Sequence, residues 1–261
     1  MQQKKKTEQE RVAGGPCPDC HREHSFQEGD ARTHCLELMR LLEQEKRIDL
    51  LAQRGEADPQ LSTASLFGEA RGKMFGVLVC RDANDCKRIL RAFSGQYNGA
   101  WEVEGWAPPL FNVGVFTRIY ADIEPRIKEL GRTLQLTDLH SPQWTDLTRQ
   151  RRKLSQQWIQ EIHVLYTLTN FRGQQRSLID AFAGSGGIPT GTGDCCAPKL
   201  FNQAVKENLT PLGLAEFYWG RENASQTRQH GQFYPSCASK CAPILGFMLC
   251  GLDELLLQAG K

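Results

Sequence analysis

The sequence predicts an α/β domain of three layers, in which a sheet lies between helices and a helical insertion follows the first strands. Two short apolar runs joined by a turn predict a strand pair within residues 73–94. Apolar residues at helical spacing precede and follow that pair. With 261 residues, of which 40% are hydrophobic, the chain is long enough to bury one large core. We therefore assign residues 31–261 to this domain, about 115–175 to the insertion and 1–30 to a flexible polar tail.

The elements of the first half follow in order. Residues 33–52 repeat apolar residues at helical spacing and predict the first helix. The runs KMFGVLVC (73–80) and RILRAFS (88–94) predict an antiparallel strand pair, because the Asp and Asn residues between them are typical of a turn. The pattern then becomes helical over residues 115–171, where residues 144–168 predict one long amphipathic helix.

The second half begins with a Gly- and Thr-rich segment, FAGSGGIPTGTGD (182–194). It lacks the Gly-Lys-Ser/Thr ending of a phosphate-binding loop and no predicted strand precedes it, so we interpret it as a linker. Helical spacing over 196–207, a strand pattern over 210–219 and a further helical stretch over 236–250 complete the domain.

The charge of the chain is nearly balanced, with a formal net charge of +2 at pH 7. Contact with nucleic acid would therefore depend on a local basic patch rather than on the field of the whole protein. Four cations near the start of the predicted long helix form such a patch: Arg149, Arg151, Arg152 and Lys153. The patch has two interpretations, a solvated helix face or a contact with RNA phosphates.

The sequence predicts neither a secretory signal nor a membrane span. Residues 1–11 contain no apolar stretch, and apolar runs such as 243–252 are too short to cross a bilayer. These features predict a cytoplasmic protein with no membrane partner, in which thiols stay reduced. The chain has ten cysteines, and metal ligation best explains those that cluster. Core packing best explains those that stand alone in apolar patterns, namely Cys35, Cys80 and Cys250.

Two cysteine motifs open predicted helices, Cys195-Cys196 in one and Cys237 with Cys241 in the other. The positive end of a helix dipole lowers the pKa of a thiol and favours the thiolate, which is the form that binds metal. Three or four thiolates around one ion are typical of zinc. We therefore predict a zinc site formed by Cys195, Cys237 and Cys241, with Cys196 as the dispensable member of the set. A group of buried free thiols is the alternative.

A second metal site is suggested near the N-terminus by Cys17-Pro-Asp-Cys20. A Cys-x2-Cys pair is half of a zinc site. The other half would come either from His21 and His24 or from His34 and Cys35. A disordered tail with incidental thiols is the alternative.

The succession of helix, strand pair, helix, strand and helix, with cysteines opening the last two helices, resembles the fold of nucleoside and nucleic-acid deaminases. There the first metal ligand lies in a His/Cys-x-Glu motif and the next two in Pro-Cys-x-x-Cys. The resemblance implies a deaminase-like fold and a zinc-dependent reaction on a base. However, Ala197 stands where the glutamate is expected, and the second motif is longer by one residue. The side chains that could replace that glutamate are Asp194, Glu216 and Lys199.

Six further blocks are distributed along the chain from about residue 70 onward: GKMFGVLVCRD (72–82), LRAFSGQYNG (90–99), PPLFN (108–112), GTGDCCAPKLFNQA (191–204), PLGLAEFYWG (211–220) and HGQFYPSCASKCAPILG (230–246). In this order they resemble the N-terminal extension of long bacterial RluA-type pseudouridine synthases. The resemblance implies an RNA-modification context, with rRNA or tRNA as a partner and a synthase domain or separate synthase protein beside it. The sequence contains no Arg-Leu-Asp motif of the synthase domain, so the resemblance does not imply that this chain isomerises uridine.

Three functions stay open at the level of the sequence. The first is a zinc-stabilised, RNA-binding domain associated with RNA modification and without synthase activity. The second is a zinc-dependent deaminase, which a polar pocket reaching the metal would favour. The third is a thiol-rich structural or interaction domain, which an absence of metal would favour.

Overall fold

The computed structural model describes residues 11–53 and 55–259 of the chain. Short 3-10 turns at Pro59–Leu61 and Thr63–Phe67 lead into the central sheet. In chain order the elements are β1 (Arg11–Pro16), β2 (Glu23–Gln27), α1 (Ala31–Glu45), β3 (Lys73–Arg81), β4 (Lys87–Phe93), α2 (Val113–Gln135), α3 (Pro142–Leu165), β5 (Thr167–Thr169), β6 (Gln175–Ser177), α4 (Leu178–Ala181), α5 (Cys196–Lys206), β7 (Thr210–Trp219), α6 (Ala242–Leu249) and α7 (Leu252–Ala259).

A three-stranded antiparallel sheet, in the order β4-β3-β7, forms the centre of the domain. Strand β3 pairs with β4 from Phe75↔Phe93 to Arg81↔Lys87, which confirms the predicted strand pair. On its other edge β3 pairs with β7. Two further sheets, β1-β2 and β5-β6, have two strands each, so the described residues form three small antiparallel sheets. The predicted mixed α/β class is confirmed at this level.

Helices cover both faces of the central sheet. On one face α1 packs through Leu38 onto β3 and β7, and on the other α5 packs through Leu200 onto β3 and β4. The alternation of side chains along a strand explains this division. Val77 and Val79 belong to the core beneath α1, whereas Leu78 between them belongs to the core beneath α5.

The segment predicted as a helical insertion contains two long helices, α2 and α3. Asn112 and Ser141 begin them, because their side-chain oxygens accept hydrogen bonds from N–H groups of the first helical turn. Helix α3 ends at Leu165, before the predicted limit of 168, because the next residues pair as β5 with β6. Neither these helices nor any other in the described residues is long and apolar enough to cross a membrane.

The N-terminal residues differ from the predicted flexible tail. Residues 1–10 lie outside the described part of the chain, but β1 and β2 pair as a hairpin that packs on α6. Two glycines permit this approach. A Cβ at Gly15 would lie 1.8 Å from the carbonyl oxygen of Ala242, and one at Gly246 would lie 2.1 Å from that of Pro16. The polar composition concealed the hairpin, because few of its side chains, such as Ala13 and Phe26, enter the core, and close backbone contact supplies the rest of its packing on α6.

Two helices are shorter than their sequence patterns predicted. Helix α1 ends at Glu45 instead of 52, because Lys46 adopts a left-handed conformation (φ 53°) and donates its N–H to the carbonyl of Leu42. Helix α6 begins at Ala242 instead of 236, because the residues before it form hydrogen-bonded turns. Those turns carry part of the candidate site.

Candidate functional site

The main candidate site is a group of three cysteines at the starts of α5 and α6. The Sγ atoms of Cys195, Cys237 and Cys241 all lie within 4.8 Å of one another, and those of Cys237 and Cys241 are 3.4 Å apart. Zinc–sulfur bonds of about 2.3 Å in a tetrahedral site place two sulfurs about 3.8 Å apart. The donor set and its spacing therefore fit a zinc ion held by three thiolates.

Helix starts bring these cysteines together. Cys195 is the N-cap of α5 and Cys241 is the N-cap of α6. Cys237 lies one turn before Cys241, since the N–H groups of Cys241 and Ala242 both donate to the carbonyl oxygen of Cys237. Pro243 in the first turn of α6 favours a helix start, because its missing N–H would have no intrahelical partner there. The motif thus sets the spacing of Cys237 and Cys241, and the packing of α5 on α6 supplies Cys195.

Mutual hydrogen bonding makes one of the three thiols acidic. Hydrogen bonds with the sulfurs of Cys195 and Cys241 hold the pKa of Cys237 far below its usual range. The pKa of Cys195 is raised by its hydrogen bond with Cys237, and the pKa of Cys241 by its bonds with both partners. The lowered pKa favours the thiolate of Cys237, and metal binding would release the protons held by the other two thiols.

Cys196 lies outside this group, although the sequence analysis placed it in the same ligand set. Its Sγ donates hydrogen bonds to the carbonyl oxygens of Met74 and Ala92, at 3.4 and 3.6 Å. The side chain thus faces the central sheet, where burial raises the pKa of the thiol well above its usual value. Consecutive residues at a helix start point in different directions, so Cys195 faces the site and Cys196 the core.

A second group of ligands lies at the other end of α6. One ligand atom from each of Cys17, Cys20, His24 and Cys250 lies within 4.8 Å of the others. The first three belong to the β1-β2 hairpin, where Cys20 Sγ and His24 Nε2 are 3.1 Å apart, and Cys250 directly follows α6. Three thiolates and one imidazole are a complete tetrahedral donor set of the kind found in structural zinc sites.

This second group, hereafter the hairpin group, differs from the sequence prediction in its fourth member. Of the four predicted alternatives, which are His21, His24, His34 and Cys35, the structure places His24 in the hairpin group. His21 is exposed, His34 pairs with a glutamate on α1, and Cys35 donates to a backbone carbonyl of β7. Cys250 was predicted as a core residue, and it is buried, but it also joins the hairpin cysteines. The sequence contained no signal for this beyond the residue type, because the contact forms only when α6 packs on β1.

Hydrogen bonds also alter the thiols of the hairpin group. Burial alone would raise the pKa of Cys20, but hydrogen bonds from the backbone of Arg22 and from His24 lower it to about 6. Burial, together with hydrogen bonds to Cys20 and Cys17, raises the pKa of Cys250 to about 12. The lowered pKa favours the thiolate of Cys20, the form that binds metal.

Glu216 in β7 links the three-cysteine group to a cavity. Its Oε1 accepts a hydrogen bond of 2.6 Å from Ser236, the residue before Cys237. Burial raises the pKa of Glu216 to about 7. The side chain also lines a cavity of about 200 Å³ with Arg32 and Phe233, whose guanidinium carbon and ring centroid are 4.0 Å apart. A buried carboxylate that titrates near neutrality and borders a cavity suits proton transfer.

Asp194 and Lys199, the other two candidates for a catalytic role, are tied into the fold. Tyr166 donates a hydrogen bond of 2.6 Å to Asp194 Oδ1, and burial raises the pKa of this carboxyl. Lys199 Nζ donates to the carbonyl oxygens of Phe93 and Gly95, at 3.0 and 2.7 Å, and burial lowers its pKa to about 8. Lys199 thus fastens the end of β4 to α5, whereas Asp194 lines a separate cavity.

The predicted basic patch is divided between two surfaces. Arg151 and Arg152 line a cleft of about 800 Å³ between α2 and α3, together with Arg132. Arg149 instead pairs with an aspartate on its own helix at 3.3 Å, and Lys153 is exposed outside the lining of this cleft. Arg132 lies on α2, so only the packing of the two helices reveals its place beside the other arginines.

No family model, curated protein or solved structure matches this chain. The resemblances to deaminases and to the extension of RluA-type synthases therefore stay predictions. Function has to be argued from the two ligand groups, the buried carboxylates and the basic cleft.

Proposed function

We propose that this chain is a zinc-binding and RNA-binding domain that takes part in RNA modification without isomerising uridine itself. The observation that carries the proposal is the pair of zinc-type ligand groups, one at each end of α6, in the described part of the chain. The resemblance to the extension of RluA-type synthases supplies the RNA context. The partners would be an rRNA or tRNA and a synthase domain or protein that acts on it.

Both ligand groups are expected to stabilise the fold. The hairpin group supplies four donors and leaves no ligand position open. Zinc there would fasten the β1-β2 hairpin to the end of α6. Zinc in the three-cysteine group would fasten the start of α5 to the start of α6. Since the binding free energy of a structural metal contributes to folding, the domain would depend on zinc for its stability.

The basic cleft supports the RNA part of the proposal. Arg132, Arg151 and Arg152 line it, and arginine forks match the geometry of phosphate oxygens. Trp144 in the same lining offers a ring on which a base can stack. A contact with two or three phosphates would give modest affinity that falls with salt, because each neutralised phosphate releases counterions.

Metal analysis of the purified protein tests the zinc proposal. We expect about two equivalents of zinc, one for each ligand group. Cys250→Ser and Cys241→Ser should each remove one equivalent and lower the melting temperature. The matched control is Cys86→Ser, at an exposed cysteine outside both groups, and it should retain both equivalents. A folded protein without metal would overturn the proposal and favour a thiol-rich structural domain.

Glu216 favours a second candidate function, a zinc-dependent deaminase acting on bases. The three-cysteine group supplies three ligands and leaves the fourth position of a tetrahedral zinc site open. Catalytic zinc requires such an open position. The succession α1, β3-β4, α5, β7 and α6, with α2, α3, β5, β6 and α4 between β4 and α5, supports this candidate. Zinc in that group would supply Lewis acidity. Glu216 would then hold and move the proton in place of the glutamate that is absent at Ala197.

An ammonia-release assay separates the two candidates. Cytidine, adenosine and single-stranded RNA are the substrates to test. Release that disappears in Glu216→Gln, while that variant keeps its zinc, would establish the deaminase. Zinc-loaded protein that releases no ammonia would leave the RNA-binding domain as the function.

A further inference from the structure

Two sulfurs of the three-cysteine group lie on a single turn of the chain. The N–H of Cys241 donates a hydrogen bond of 3.1 Å to the carbonyl oxygen of Cys237, and the Sγ atoms of the two residues are 3.4 Å apart. Four residues of helix rise about 6 Å, and the Cα atoms of a disulfide are about 4.4–6.8 Å apart. A disulfide can therefore form within this turn, whereas Cys195 lies on a separate element.

The same turn lies at the surface of the domain. Cys237 is half-buried, and the next two residues, Ala238 and Ser239, are exposed, whereas Cys241 is buried. A small oxidant would therefore arrive first at Cys237. Zinc holds its cysteine ligands as thiolates, and the thiolate is the form that an oxidant attacks.

The hairpin group is better protected. Three of its four ligands, Cys17, His24 and Cys250, are buried. The half-buried member, Cys20, has the imidazole of His24 as a neighbour, with Sγ and Nε2 3.1 Å apart. Zinc with four protein donors also leaves no ligand position open to a small molecule. The two groups should therefore differ in their sensitivity to oxidation.

We propose that Cys237 and Cys241 form a redox-sensitive modification site, at which a hydroperoxide joins them as a disulfide and releases zinc from the three-cysteine group. The inference rests on the zinc part of the proposed function and adds regulation of that site. Oxidation removes two of the three ligands, and Cys195 alone does not retain the ion. The start of α5 is then no longer fastened to the start of α6, while the hairpin group still holds the other end of α6.

The reaction balances with hydrogen peroxide as the oxidant. The thiolate of Cys237 attacks one peroxide oxygen and the O–O bond breaks, which gives a sulfenic acid on Cys237 and one hydroxide. The thiolate of Cys241 attacks that sulfur, forms the S–S bond and displaces a second hydroxide. Two protons from solvent convert both hydroxides to water. The sulfurs lose two electrons, the peroxide gains them, and zinc leaves as Zn²⁺.

Treatment of the zinc-loaded protein with hydrogen peroxide in small excess tests the site. We expect the loss of one of the two zinc equivalents to a chromophoric chelator and a decrease in protein mass by two hydrogen atoms. Trypsin cleaves after Lys240, so the disulfide should hold together two peptides that otherwise separate. Dithiothreitol should restore the mass and the zinc binding. Cys86→Ser, which lacks the exposed cysteine outside both groups, is the matched control and should respond like the wild type.

Two variants test the pairing by a measurement that does not depend on zinc. Cys195→Ser retains both partners and should still form the disulfide, whereas Cys241→Ser should not, and circular dichroism verifies that both variants fold. No disulfide in the wild type, a disulfide that includes Cys195, or the release of both zinc equivalents would overturn the inference. A disulfide between Cys237 and Cys241 in wild-type protein that carries no zinc would overturn the proposed function alone.

Discussion

Cys241 and Cys250 stand at the two ends of α6, and each belongs to a different group of metal-type ligands. The helix between them has eight residues, and its last six are buried. A hydrogen bond of 2.8 Å from the N–H of Ser236 to the carbonyl of Val12 adds a second link between the two groups. Metal bound at one end would therefore order the element that carries a ligand of the other end.

The first prediction is that the two groups bind metal cooperatively. Cys250→Ser should weaken zinc binding by the intact three-cysteine group about five- to tenfold, because coupling between linked sites is typically about 1–3 kcal/mol and the lower end of this range corresponds to about fivefold. Competition with a chromophoric chelator measures the affinity of the remaining site. Cys86→Ser is the control, and unchanged affinity in Cys250→Ser would mean that the groups act independently.

The second prediction concerns the adjacent pair Cys195 and Cys196. Cys195→Ser should lower zinc content by about one equivalent, since Cys195 belongs to the three-cysteine group. Cys196→Ser should retain the zinc, since that side chain bonds to carbonyl oxygens of the sheet. Metal analysis of the two variants is a matched comparison, because they make the same chemical change at neighbouring positions. The reverse result would exchange the roles of the two cysteines.

The third prediction concerns the contact of β1 with α6. Gly15→Ala should destabilise the protein by about 3 kcal/mol, because the new Cβ would meet the carbonyl oxygen of Ala242 and force backbone to move. It should also weaken zinc binding by the hairpin group. Urea unfolding and metal analysis measure the two effects. Gly187→Ala is the control, since a Cβ there has nothing within 4 Å.

The fourth prediction concerns pH. Burial raises the pKa of Glu216 from 4.5 to about 7, so the folded protein holds this proton more tightly than the unfolded chain does. Its contribution to the free energy of unfolding is therefore complete below about pH 4.5 and is lost as the pH rises to 7. The stability of Glu216→Gln, expressed as its difference from wild type, should therefore rise by about 2 kcal/mol from pH 5.5 to pH 8. Urea unfolding at the two pH values measures this, and Glu69→Gln, at an exposed position, should show no such gain.

The fifth prediction concerns RNA. Reversing both charges in Arg151→Glu/Arg152→Glu should weaken binding of single-stranded or structured RNA about tenfold or more at low salt, and should reduce the dependence of affinity on salt. Arg149→Glu/Lys153→Glu makes the same charge change on the same helix outside the cleft lining, and should have a much smaller effect. Fluorescence anisotropy at several salt concentrations measures both. Equal losses in the two variants would point to the overall charge of α3 instead of the cleft.

Local patterns made part of this structure predictable. The apolar runs and turn residues of 73–94 predicted the central strand pair, and the strand pattern of 210–219 predicted β7. Cys237 and Cys241 could be paired from sequence because they lie one helical turn apart. Cys195 could be chosen because it opens a predicted helix, but the packing of α5 on α6 that brings it to the pair is visible only in the structure.

Contacts between distant segments were beyond the reach of the sequence. Cys250 joins Cys17 only because two glycines let β1 lie against the backbone of α6. Arg132 joins the basic cleft only because α2 packs on α3. In both cases the sequence shows a residue of a suitable type. However, neither periodicity nor spacing along the chain predicts which positions on separate elements come into contact.

The hairpin group draws its ligands from segments that are far apart in the order of synthesis. Cys17, Cys20 and His24 are synthesised more than 220 residues before Cys250. Three donors on a short hairpin would hold zinc less firmly than the complete set, so metal on the nascent chain would stay exchangeable. Firm capture of the ion would coincide with the docking of α6, and a chain interrupted before residue 250 would lack the fourth donor.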